Sequence, residues 1–157
     1  LDKEKSFIFK SPIGNILIVE KEGKISTISF IKKARVREKE HKTPSEVIKS
    51  ALKQLDEYFH GKRTVFDIPI LMNGTDFEKK VWKATQAIPF GNVKTYSDIA
   101  EIIGKPKAYR AVANALGKND LVIVIPCHRV TAKGGLGGFS AGLWRKKWLL
   151  KHEGINF

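Results

Sequence analysis

The chain has one cysteine and one methionine in 157 residues. A single thiol excludes an intramolecular disulfide and any multi-cysteine zinc site, and it points to a reducing, intracellular setting. The four histidines, His41, His60, His128 and His152, show no metal-ligand spacing, so no metal is expected. Long apolar runs are missing too: nothing approaches the roughly 20 residues of a membrane-spanning helix. The opening stretch, with charged Asp2-Lys3-Glu4-Lys5, does not read as a secretory leader. A cytoplasmic protein without membrane contact is the expectation. Acidic residues are also scarce, 16 against 29 Lys and Arg, which gives a formal net charge of +13. Such an excess predicts a polyanionic partner, most often nucleic acid. The imbalance sharpens after Ile103, where ten basic residues (Lys105, Lys107, Arg110, Lys118, Arg129, Lys133, Arg145, Lys146, Lys147, Lys151) face two acids, Asp120 and Glu153. The alternative, a solvated lysine-rich surface of thermophilic type, suits the N-terminal half, where Lys and Glu alternate around Lys32–Lys42.

The first third reads as three strands, Ser6–Lys10, Asn15–Lys21 and Lys24–Ile31, separated by the turn signals Ser11-Pro12-Ile13-Gly14 and Glu22-Gly23. A charged connector follows over Lys32–Lys42. Thr43 then looks like an N-cap, with Pro44 in the first helical position and Glu46 completing a capping box. Val47, Ile48, Ala51, Leu52, Leu55, Tyr58 and Phe59 share one helical face, and Gly61 stops the helix. Val65–Ile70 reads as a further strand. Residues 1–72 are thus predicted to form a small α/β domain with no chemistry of its own. Leu71-Met72-Asn73-Gly74 is the linker, and residues 73–157 form the second domain.

That second domain opens with a capping box, Thr75-x-x-Glu78, and a helix carrying Phe77, Val81, Trp82 and Thr85. A turn at Phe90-Gly91-Asn92-Val93 precedes another box, Thr95-x-x-Asp98, and a short helix closed by Gly104. Lys105-Pro106 turns the chain directly into a helix over Lys107–Leu116. Two short helices joined this tightly make a helix-turn-helix pattern, with a purely structural helical hairpin as the alternative. Ala108, Ala111, Ala113 and Ala115 keep the second helix slim, and Arg110 is its long basic side chain. The stretch Gly134-Gly135-Leu136-Gly137-Gly138-Phe139-Ser140 lacks the Lys-Ser/Thr ending of a phosphate loop and the strand–helix grammar of a dinucleotide site. No nucleotide cofactor is expected; the glycines suit close backbone approach to a ligand. A last helix, about Gly142–Glu153, carries Leu143, Trp148, Leu149 and Leu150.

The lone thiol sits in Val122-Ile123-Val124-Ile125-Pro126-Cys127-His128-Arg129-Val130. The β-branched run predicts a buried strand that delivers Cys127 to a turn at Pro126. A thiol beside a base and a cation is biased toward the nucleophilic thiolate. The alternative is a buried small hydrophobe, against which stands the cost of His128 and Arg129 in a dry core. Adjacent strand residues point to opposite faces, so His128 would reach Cys127 through the turn and a bridging water. A carboxylate on its other nitrogen would hold it as a base; Glu153 is a candidate, with a solvated helix-end acid as the alternative.

Pro126-Cys127-His128-Arg129-Val130 resembles the signature of the O6-alkylguanine-DNA alkyltransferases, the methylated-DNA–protein-cysteine methyltransferases. Ile88-Pro89-Phe90-Gly91 through Thr95-Tyr96, then Arg110-Ala111-Val112, Asn119, the Gly-rich loop and Trp148-Leu149-Leu150…His152-Glu153-Gly154 extend the likeness from about Phe77 to Gly154, roughly half the chain. The N-terminal half is similar only in general pattern and in its Leu55…Tyr58-Phe59…Gly61 helix ending. The resemblance implies an α+β protein: a small ribonuclease-H-like N-terminal α/β domain and a winged-helix-like C-terminal helix-turn-helix domain. It implies direct, irreversible repair, in which O6-alkylguanine in double-stranded DNA gives its alkyl group to Cys127, with O4-methylthymine as a second candidate substrate. No cofactor is implied, and a prokaryotic, nucleoid-associated monomer is expected.

By the same resemblance His128 is similar to a water-mediated base, Glu153 to the acid that orients it, and Asn119 to a brace of the active-site turn. Tyr96 looks like the residue that contacts the flipped guanine and its phosphate. Arg110 resembles the finger that fills the space the base leaves. Ser140 and Val130 correspond to backbone contacts with the guanine, Lys146 to a lysine near the pocket, and Ser97, Lys105 and Lys133 to further DNA contacts. Phe139 stands where several relatives carry tyrosine, which keeps an aromatic wall and removes a hydroxyl. The ligands of the zinc site found in some relatives have no counterpart, so no metal is implied. Two rival readings exist: a damage-binding relative without transfer, in which tryptophan typically replaces the cysteine, and a DNA-binding regulator with a redox thiol. Cys127 argues against the first, and the His128, Asn119 and Glu153 set against the second.

Overall fold

The computed structural model describes residues 4–31 and 43–157. The charged connector, His41 and the first three residues lie outside the described residues. The chain divides into two compact units, Leu1–Met72 and Asn73–Phe157, and has the mixed α+β architecture that the sequence predicts.

In the first unit β1 (Lys5–Ser11), β2 (Gly14–Lys21) and β3 (Lys24–Phe30) form an antiparallel meander in the order β1-β2-β3. Period-two alternation buries Ile16 and Ile18 of β2. In β3 the buried residues, Ile25 and Ile28, are three apart. A register shift opposite Val19/Glu20 inserts one extra residue and lets both turn inward. Helix α1 (Glu46–Phe59) packs on this sheet through Ile48, Ala51, Leu55, Tyr58 and Phe59.

Two expectations fail in this unit. The cap of α1 is Ser45, not Thr43: its hydroxyl accepts from the Ile48 amide at 3.2 Å and donates to the Glu20 carboxylate of β2. A serine that is anchored to the sheet as well as to the helix outcompetes a threonine two residues earlier. The second failure is the strand over Val65–Ile70, where only an isolated bridge between Ile70 and Ile25 forms. Its backbone groups are satisfied in another way. Buried Gln54 donates to the Asp67 carbonyl at 3.0 Å and accepts from the Asp67 amide at 2.8 Å, while Pro69 and Leu71 bond to Ile25. Pro69 has no N–H for a ladder, and Val65 is exposed.

The second unit is built from α2 (Asp76–Gln86), α3 (Tyr96–Ile102), α4 (Tyr109–Gly117) and α5 (Leu143–His152), with a minimal parallel pair β4 (Lys94–Thr95) and β5 (Val130–Thr131). Both capping boxes predicted for this unit form, Thr75 with Glu78 and Thr95 with Asp98. The Trp82 indole of α2 donates to the Ala115 carbonyl of α4 at 2.9 Å, which fixes the helix that follows the turn. Helices α3 and α4 stand as the predicted helix-turn-helix around Lys105-Pro106; α4 begins at Tyr109, two residues later than expected.

The predicted buried strand before the cysteine is a compact turn. Leu121 through Ile125 are all buried, but Ile123 has a φ of +73° and Val122 bridges to Ile125. Asn119 imposes this shape: its side chain accepts from the Leu121 amide and donates to the Ile125 carbonyl, both at 2.9 Å. Periodicity cannot separate a buried strand from a buried turn of the same residues.

Candidate active site

Cys127-His128-Arg129 form a single turn of 3-10 helix directly after Pro126. At about three residues per turn, consecutive side chains fan out by roughly 120°, so three neighbours address three surroundings. All are buried, with exposures of 7%, 0% and 5%. Burial of His128 and Arg129 in a dry core would be costly, which is the expectation set against a buried, inert cysteine. Both are nevertheless inside, and Glu153 follows them and offsets that cost.

Glu153, the C-cap of α5, is itself 5% exposed. Its carboxylate accepts from Arg129 Nε at 2.8 Å and Nη2 at 3.1 Å, and from His128 Nε2 at 2.6 Å. The Gly91 amide adds a longer contact, and Arg129 Nη1 donates to the Ile88 carbonyl at 2.7 Å. The bidentate guanidinium supplies the countercharge, so the carboxylate only accepts. His128 must therefore present a protonated Nε2, which leaves Nδ1 bare if the ring is neutral. The ring is held neutral: burial pushes the His128 pKa down, against the pull of Glu153. Nδ1 is buried with no hydrogen-bond partner among the described residues. The arrangement is a buried base with its lone pair directed away from its own support.

Burial pushes the Cys127 thiol up, opposed by a hydrogen bond from Asn119 and by the charge of Lys146. Lys146 is fully buried. Its ammonium donates to the Val130 carbonyl at 2.7 Å and the Gly138 carbonyl at 2.9 Å, and lies 5.9 Å from the Tyr96 ring centroid. Desolvation lowers its pKa to about 8. Lys146 therefore ties the Gly-rich loop to the segment leaving the cysteine turn while placing positive charge near the sulfur.

In front of Cys127 lies a pocket of about 460 Å³, walled by Tyr96, Ala113, Leu116 and Gly117 on one part and by Gly138, Phe139 and Ser140 on another. That volume suits a small molecule or a single base. The Tyr96 hydroxyl accepts from the Gly138 amide at 3.1 Å, so its own proton is left to donate. Gly137 has a φ of +75°, and a Cβ there would run into the Tyr96 ring.

Of the sequence-predicted residues, Cys127, Tyr96, Phe139 and Ser140 line the pocket. His128, Glu153, Asn119, Lys146 and Val130 are buried. Ser97, Lys105, Arg110 and Lys133 are exposed and are not among the pocket walls. Lys105 Nζ lies 5.8 Å from the Phe77 ring centroid. Sequence reasoning missed the α4 wall, whose signal was the small residues Ala113 and Gly117 at helical spacing. It also missed Arg129 as the partner of Glu153; of the ten basic residues counted after Ile103, Arg129 and Lys146 are inside.

Two family descriptions match consecutive parts of the chain. Residues 6–72 match the ribonuclease-like domain of 6-O-methylguanine DNA methyltransferase, and residues 76–155 match its DNA binding domain. The chain is 43% identical over 157 residues to a methylated-DNA–protein-cysteine methyltransferase of Methanosarcina barkeri, covering 95% of this chain and 96% of the relative. It is 40% identical to the constitutive methylated-DNA–protein-cysteine methyltransferase of Bacillus subtilis, covering 94% of each. The crystal structure of a Mycobacterium tuberculosis protein, OGT, in complex with DNA superposes with a TM-score of 0.83 at 37% identity, covering 95% of this chain and 92% of that one.

Proposed function

From the chain's membership of the 6-O-methylguanine DNA methyltransferase family, to which it belongs, we infer the part each pocket residue plays. The protein is a DNA-binding methyltransferase that repairs DNA by moving an alkyl group onto a cysteine. The single observation that carries the residue assignment is that the only cysteine faces a base-sized pocket and is followed by a buried histidine bonded to a Glu153–Arg129 ion pair.

The substrate is O6-alkylguanine in double-stranded DNA, with O4-methylthymine as a second candidate. The damaged base pairs poorly and is extruded into the pocket at a cost of a few kcal/mol. His128 Nδ1 takes the Cys127 proton through one bridging water, which gives the bare nitrogen the partner a buried polar atom requires. Lys146 and Asn119 favour the thiolate against the burial that opposes it. Sγ attacks the alkyl carbon in line; the S–C bond forms as the C–O6 bond breaks, and the electron pair goes to the guanine ring. The Tyr96 hydroxyl donates to that charge. Val130 and Ser140 offer backbone groups to the base; the Val130 carbonyl has a second lone pair beside the one Lys146 occupies. Phe139 is the apolar wall. Outside the pocket, Arg110 fills the gap in the duplex, and Ser97, Lys105 and Lys133 meet the phosphates, which give affinity with little sequence preference. A thioether does not revert, so each monomer acts once, in the cytoplasm.

The test is the mass of the Cys127 peptide after mixing with an oligonucleotide that contains O6-methylguanine. A gain of one methyl group, stopping at one equivalent, is expected. Cys127→Ala should bind the same DNA and transfer nothing; transfer in that variant would sink the mechanism.

A further inference from the structure

Helix α4 carries one large aromatic side chain that the reaction does not use. Tyr109 is 45% exposed, in a helix whose other exposed side chains are small apart from Arg110. An exposed ring of this size at the start of the helix contradicts the slim profile that its alanines predict. Its position in the helix is informative. Tyr109 lies four residues before Ala113, and seven and eight before Leu116 and Gly117, so it shares their stripe. Those three residues wall the pocket in front of Cys127. Helical side chains lean toward the N-terminus, so on this face the exposed Tyr109 ring extends away from the pocket walls Ala113, Leu116 and Gly117. The Arg110 guanidinium carbon lies 5.8 Å from the Tyr109 ring centroid, within cation–π range.

We propose that Tyr109, paired with Arg110, is a base-stacking residue of the DNA-binding face that covers a base next to the one extruded into the pocket. This rests on the reading of the pocket as the site that receives the flipped base. An extruded base leaves two neighbours with an uncovered π face each. Arg110 meets the gap with a planar cation, and Tyr109 meets a neighbouring base with a ring that the same cation holds in place. Stacking on an aromatic ring is tolerant of sequence because every base has a π face. Tyr109 stands one turn before Ala113 on the helix face that walls the pocket, so a strand that delivers a base to the pocket passes beside the ring. Its partner is therefore DNA rather than a second protein.

The experiment compares the full-length protein with Tyr109→Phe and Tyr109→Leu in two reactions. One is alkyl transfer from a duplex containing O6-methylguanine; the other is alkylation of Cys127 by iodoacetamide, which reads thiol and pocket without DNA. Tyr109→Phe should match the parent within about twofold in both, because it keeps the π face. Tyr109→Leu keeps bulk and loses the face; it should slow duplex transfer by roughly tenfold or more, the scale of a lost base–aromatic stack, and leave iodoacetamide labelling unchanged. Wild-type duplex rates in Tyr109→Leu overturn the proposal. So does an equal loss in Tyr109→Phe, which would point to the hydroxyl, or a parallel loss in iodoacetamide labelling, which would place the effect on the pocket. Failure of the unmodified protein to transfer from the duplex, with iodoacetamide labelling intact, would instead strike the reading of the pocket itself.

Discussion

Glu153→Gln keeps the volume of a side chain and removes one charge. It leaves Arg129 buried without its counter-ion, and breaking a buried pair costs about 3–5 kcal/mol; urea unfolding should show a loss on that scale. The new amide can donate to His128 Nε2, which moves the ring proton to Nδ1 and removes the base. Transfer should then fall by roughly 100-fold or more, the usual worth of general base catalysis, as read by single-turnover kinetics. His128 also sets a pH dependence. Its folded pKa lies below the ordinary 6.5 because of burial. The unfolded chain therefore takes up a proton that the folded one refuses, and stability must fall as pH drops below that value. Urea midpoints measured from about pH 7.5 to 5.5 should decline, and the decline should be weaker in His128→Gln. The sequence made Cys127, His128 and Glu153 readable by residue type and by family likeness. It could not show that Arg129 turns inward, because adjacency in the chain says nothing of a partner 24 residues away.

Among the elements, those whose local chemistry has no competing distant partner were legible, unlike the Thr43 cap that Ser45 displaces through Glu20. The boxes Thr75/Glu78 and Thr95/Asp98 are reciprocal hydrogen bonds within four residues, and both form. Their acids are held below the ordinary carboxylate range, first by the hydrogen bond from the capping residue's own backbone. The elements that misled depend on distant side chains. Gln54 replaces a strand ladder at Asp67, and Asn119 closes the turn before Pro126. The Gly-rich loop, legible from its glycines as an irregular approach to a ligand, also takes its shape from distant Tyr96 and Lys146. Gly137→Ala tests this. It adds one methyl group at a φ of +75° and against the Tyr96 ring, so the loop must leave the pocket wall. Transfer should drop by about tenfold or more, whereas urea stability should change by about 1–2 kcal/mol, the cost of a strained position.

For the whole molecule, charge is the property that reads directly from composition. At +13 the chain carries an excess that the buried Arg129 and Lys146 reduce only slightly at the surface. Affinity for undamaged duplex should therefore fall at least about tenfold between roughly 50 and 200 mM salt, as a few phosphate contacts require; fluorescence anisotropy would measure it. A flat response would remove the phosphate-led view of binding. The whole chain also acts as a reagent that is used up, and the burial of Cys127 gains a second meaning from that. Burial pushes the thiol above its ordinary pKa, which slows its reaction with peroxide and stray electrophiles. The protein keeps its single equivalent in a slow-reacting form, and a base seated in the pocket sets its electrophilic carbon directly before the sulfur.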